Sequence, residues 1–111
     1  MRVKELLRQY DFHDSLVKSV REQDGDVTLC IDLCAWRQTD YHEGEDESKE
    51  ITLLLQDCDD LKFEVVKDGQ ILSFKSRDRE DGAGEFVEMF IDGGDDVKAI
   101  TFHTRNVDII L

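Results

Sequence analysis

A chain of 111 residues with 27 Asp and Glu against 14 Lys and Arg has a formal charge of −13. That surplus argues against binding to phosphate backbones or anionic lipid and favours a basic protein, a cation or a metal ion as partner. The length suits one domain, 1–111, that buries roughly two-thirds of its unfolded surface, and 40% hydrophobic residues suffice for a core beside 37% charged ones.

In chain order, Val3, Leu6, Leu7 and Tyr10 recur at helical spacing and predict a short helix over 3–9. The opening stretch MRVKELLRQYDF holds no signal-peptide apolar core, and no run approaches the length of a membrane span, so no membrane association and a cytoplasmic location are expected. Helical period then stops. Residues 15–22 and 27–35 read as strands joined at Asp24-Gly25-Asp26. In the second, Val27, Leu29, Ile31, Leu33 and Ala35 alternate with Thr28, Cys30, Asp32, Cys34 and Trp36. Further strands are predicted over 51–55, 61–66, 71–76, 86–91, 97–103 and 107–111. Asp68-Gly69 carries the strongest hairpin signal, because both residues tolerate the positive φ of a type I′ turn. About eight short strands without a helical crossover predict antiparallel pairing, closed as a β-sandwich or barrel.

Three cysteines leave an odd thiol and no disulfide framework. Cys30 and Cys34 on one strand stand about 13 Å apart, too far for a bridge or a shared zinc ion. Half-buried free thiols are expected. Cys58 is open to an approach to either one.

His13-Asp14-Ser15 sets three residue types of a hydrolase triad side by side. Adjacent residues of an extended chain point to opposite sides, and no nucleophile-elbow motif accompanies them. A structural role is expected instead, with His13 bonding a neighbouring strand or turn and Asp14 or Ser15 bonding local amides. Two polar loops carry the candidate binding residues. Residues 37–48 hold Asp40, His42, Glu43, Glu45, Asp46 and Glu47, and residues 77–84 hold Asp78, Glu80 and Asp81. Carboxylates around His42 have the chemistry of a metal site, although no calcium-loop pattern is present and carboxylates this dense usually form a solvated loop. The Asp57–Asp60 turn repeats this more weakly, and His103 enters only as one possible partner of a cysteine. Trp36, at the mouth of the first loop, reads either as core packing at a strand end or as an exposed anchor.

The stretch Tyr10-Asp11-Phe12-His13-Asp14-Ser15-Leu16-Val17, followed by an alternating strand pair, resembles the opening of small bacterial β-rich domains of unknown function with an F-H-D-S stretch. Some of these look like toxin-immunity proteins. The resemblance brings no catalytic residues, and the binding role rests on the charge, the small β scaffold, the acidic loops and the lack of a catalytic constellation. The expectation is a non-enzymatic protein-binding domain, without cofactor, that presents an acidic surface to a basic partner. A metal-binding module at the His42 loop and a self-assembling domain, such as a homodimer, are the alternatives.

Overall fold

The computed structural model describes residues 1–44, 46–63, 68–80, 82 and 84–110. Helix α1 (Val3–Gln9) precedes eight strands: β1 (Leu16–Gln23), β2 (Asp26–Cys34), β3 (Ser48–Gln56), β4 (Asp59–Phe63), β5 (Gly69–Asp78), β6 (Glu85–Asp92), β7 (Val97–Thr104) and β8 (Asn106–Ile110). They form one antiparallel sheet in the order β4-β7-β6-β5-β1-β2-β3-β8.

The sheet folds over on itself because period-two alternation gives it one apolar face. Across β2 and β3, Val27 opposes Leu55, Leu29 opposes Leu53 and Ile31 opposes Ile51. Across β6 and β7, Met89 opposes Ile100 and Val87 opposes Phe102. All these side chains belong to one buried cluster, so the two halves of the sheet face each other over a single core. Each fully buried aliphatic side chain contributes about 2 kcal/mol by leaving water. Among the described residues the halves are joined by only two paired positions, Leu16↔Gln70 and Val17↔Gly69. Bulges flank that seam at Lys18 in β1 and Leu72 in β5, where the register shifts. Bulges bend and twist strands, which lets a continuous sheet turn over there. The architecture is therefore a sandwich drawn from one sheet.

Helix α1 has only seven residues and would not persist alone. It is fixed by burying Val3 and Leu6 and packing against β5 and β8. Arg2 gives it no side-chain cap. Glu85 of β6, only 1% exposed, supplies one from across the core. Its carboxylate accepts from the amides of Val3 at 2.7 Å and Lys4 at 2.9 Å and from the Ser76 hydroxyl at 2.8 Å.

Two aspartyl-glycine turns behave differently from one another. Asp24 and Gly25 both take positive φ, 53° and 84°, and close the β1–β2 hairpin with Gln23 opposite Asp26. Asp68-Gly69 closes no hairpin among the described residues. Asp68 has φ 60°, but its amide donates to Val17 O and Gly69 is already the first residue of β5, paired to β1. Strand β4 pairs with β7 instead of β5. The turn chemistry is met by a single residue that steers the chain onto the seam. Of the stretches expected as strand, 64–66 and Leu111 lie outside the described residues.

Candidate functional site

The helix-to-sheet connection 10–15 and the turn that leaves β2 are laced together at one end of the sandwich. Phe12 is buried, with its ring 5.1 Å from that of Phe74 and 6.0 Å from that of Tyr10. His13 Nδ1 faces the Leu72 carbonyl at 3.1 Å, using an oxygen at the β5 bulge. Asp14, at φ 68°, accepts from Arg37 Nε at 2.8 Å, from Arg37 Nη2 at 2.7 Å and from Gln70 Nε2 at 2.7 Å. Ser15 is fully buried, and its Oγ accepts from the Cys34 amide at 2.8 Å.

This corrects one expectation. Asp14 and Ser15 do not serve local amides; they bind groups more than 18 residues away, and the local turn is made by Asp11 Oδ1 accepting from His13 N. The clasp is completed by Gln38. Its side chain exchanges hydrogen bonds with the Asp11 backbone and donates to Cys34 O. Beside it lies a cleft of ≈390 Å³, walled by Tyr10, Asp11, His13, Arg37, Gln38 and Phe74 among others. No nucleophile opens into it from the F-H-D-S stretch, since the Ser15 hydroxyl is buried and engaged.

Trp36 stands on the short 3₁₀ turn Ala35–Arg37 that follows β2. The residue is 51% exposed, with the Arg37 guanidinium 5.0 Å from the ring centroid. Core packing at a strand end is thus not its role. The ring leaves the core because the alternation of β2 ends at Cys34 and the backbone turns. The acidic loop starts and finishes at this point. Ala35 N donates to Glu47 O at 2.9 Å, Cys34 opposes Ser48, and Tyr41 N donates to Gln38 O. Asp40, His42, Glu43, Asp46 and Glu47 are all exposed. Among the described residues none of these acids has an ion-pair partner. Glu45 lies outside the described residues.

The second loop divides differently. Asp78 closes β5 and is held by Arg2 and Lys4. The Lys4 hydrogen bond, then that of Arg2, holds its carboxyl below the ordinary value. Glu80 is exposed, and Asp81 lies outside the described residues. All three thiols are free, with Cys34 buried and Cys30 and Cys58 half-buried. Burial pushes the Cys34 and Cys58 thiols up, which suits inert packing groups. Cys58 Sγ donates to Leu55 O at 3.3 Å.

The described residues of the His42 loop do not gather three metal-ligating atoms. Asp59, Asp60 and His103 do, at the other edge of the sheet. Sequence reading passes over this trio because β4 and β7 are far apart in the chain. The repeated Asp57–Asp60 acids were its only sign. No helix among the described residues is long and apolar enough to cross a membrane. No protein-family model, curated protein or solved structure matches this chain.

Proposed function

We propose that this chain is a non-enzymatic binding domain that offers Trp36 and its acidic loop to a basic partner protein. One observation carries the reading: a half-exposed tryptophan at the root of a loop whose described acids have no ion-pair partner. Binding hot spots are enriched in tryptophan, and surrounding charge of one sign steers an oppositely charged partner and rejects others. A rigid sheet with both loop ends pinned holds such an anchor in place with little ordering cost. The F-H-D-S resemblance extends the proposal to a cytoplasmic bacterial immunity or inhibitor protein whose acidic loop occupies a basic toxin or enzyme.

Affinity capture from the native host at low ionic strength tests it. The expected result is a basic protein retained by the wild type, released by salt, and lost with Trp36→Ala and with a variant carrying Asp40→Lys, Glu43→Lys, Asp46→Lys and Glu47→Lys. Trp36 is the only tryptophan, so its emission shifts to the blue when the purified partner covers it. A partner held equally by both variants, or no basic partner at all, overturns the proposal.

Self-assembly has one observation in its favour. The edge strands β4 and β8 carry exposed Phe63 and Ile110, 38% and 55% accessible, and open edges are templates for pairing. Light scattering decides it: a monomer across the micromolar range removes this reading.

A further inference from the structure

Strand β4 pairs with β7 at Asp59↔His103 and then at Lys62↔Thr101. Asp60 and Leu61 therefore oppose Phe102 alone, which is a β-bulge. In a regular strand, consecutive residues point to opposite faces. Here Asp60 takes φ 53°, a left-handed conformation that aspartate tolerates, and both carboxylates reach one imidazole. His103 Nδ1 is 3.0 Å from Asp59 Oδ1 and 3.5 Å from Asp60 Oδ2. Ligand atoms from the three side chains all lie within 4.8 Å of one another.

The 3.0 and 3.5 Å separations from Nδ1 suit a metal. With bonds of about 2.1 Å, neighbouring ligand atoms stand about 3.0 Å apart in an octahedron and about 3.4 Å apart in a tetrahedron. The histidine supplies a second observation. Its Nδ1 is shielded from solvent and makes no hydrogen bond, although it lies within ion-pair distance of Asp59 and Asp60. A buried polar atom left in that state calls for a partner. The ring is steadied 5.2 Å from that of Phe86, and Asp59 Oδ2 lies 3.4 Å from Arg79 Nη1. Neighbours of this kind orient metal ligands. A cavity of ≈520 Å³ lined by Arg77, Arg79, Phe86 and His103 among others adjoins the ring.

We propose that Asp59, Asp60 and His103 bind one divalent transition-metal ion of the Zn²⁺ or Mn²⁺ kind. The imidazole nitrogen favours these over Ca²⁺ and Mg²⁺, which prefer oxygen throughout. The site is separate from the Trp36 surface and stands or falls independently of it.

The test uses the full chain after chelator treatment, at physiological salt. Zn²⁺ is titrated calorimetrically, and substoichiometric Mn²⁺ is followed by paramagnetic broadening of the amide spectrum. The expected result is one saturable Zn²⁺ site, with the amides of Asp59, Asp60, Thr101 and His103 broadened first. His103→Gln and Asp60→Asn each weaken Zn²⁺ association about tenfold or more. Asp60 is exposed and asparagine accepts its φ, so that variant remains folded even if His103→Gln does not. No saturable heat, broadening centred on the His42 loop or spread evenly over the acidic surface, or an Asp60→Asn variant binding within twofold of wild type overturns the proposal.

Discussion

Replacing Glu85 by alanine should be among the most damaging single changes in this protein, and the structure says by how much. The carboxylate is 1% exposed and accepts three hydrogen bonds. Two come from the first amides of α1, which have no partner within a helix and no cap from Arg2. Stranding a buried donor costs about 1–3 kcal/mol. The Val3 amide is buried and the Lys4 amide is partly so, while the Ser76 hydroxyl can rotate toward other acceptors. The expected loss is about 3 kcal/mol, with a floor near 2 kcal/mol if water enters the vacated space. For an m-value of about 1.5 kcal/mol/M, the urea midpoint falls by about 2 M. Chemical denaturation gives the magnitude, and hydrogen exchange gives the place. Amides 3–6 should lose protection selectively, because their anchor is gone. Glu85→Gln should fall between, since one oxygen remains while an amide NH₂ faces a backbone donor. A double-mutant cycle with Ser76→Ala should show coupling of about 1 kcal/mol. A loss below about 1 kcal/mol for Glu85→Ala, or unchanged protection in α1, would refute the claim that β6 caps this helix.

Three further outcomes follow from the clasp, one turn and one ion pair. Ser15→Ala leaves the buried Cys34 amide without its acceptor and should cost about 1–3 kcal/mol in denaturant unfolding; a neutral effect would mean that the clasp is not held there. Gly84 has φ 110°, and an added Cβ would sit 2.5 Å from the Thr104 carbonyl oxygen, so Gly84→Ala should destabilise by about 1–3 kcal/mol, whereas wild-type stability would show that the β5–β6 loop yields freely. Asp78 titrates below its ordinary value of 3.8 because of Lys4 first and Arg2 second. A depressed carboxyl contributes stability that is complete above the unfolded value and lost as pH falls through the folded one. Lys4→Ala should therefore move the Asp78 titration, followed by carbon-detected NMR, upward toward 3.8 and flatten the acid limb of the stability curve. An unmoved titration would show that the ion pair does not persist in solution.

Much of the fold was legible because burial on one face of a sheet writes a period of two into the chain. Val27 to Leu33 and Val87 to Ile91 show it, and the structure places their strands within about two residues of expectation. Pairing order was not legible, since hairpin chemistry is local and partner choice is not. Asp24-Gly25 and Asp68-Gly69 look alike, yet among the described residues only the first closes a hairpin. Glu85 was open to discovery. It continues the inward series Val87, Met89, Ile91 by one step, so an acid at that position had to find donors in the core. Trp36 shows the opposite failure. Alternation places it opposite Ala35, but the backbone leaves the strand at Cys34 and the pattern no longer governs which way the ring points. The Asp59–Asp60–His103 trio needed two non-local facts, the β4–β7 pairing and its bulge, and no window of sequence contains either.

The structure also changes what the charge means. Arg2, Lys4, Lys18, Arg37, Arg79 and Lys98 are each within ion-pair distance of an aspartate, and most of these aspartates lie at seams between elements. Residues 38–47, by contrast, contain five acids and no Lys or Arg. The described ones among them have no ion-pair partner, and their repulsion weakens as salt is added. A loop of that kind gains nothing for the fold by concentrating charge, because scattered acids would keep the edges apart equally well. Holding both its ends beneath an exposed tryptophan turns the repulsion into a reserve of favourable energy for any basic surface that docks there. The proposed recognition role would account for both the concentration of charge and its position.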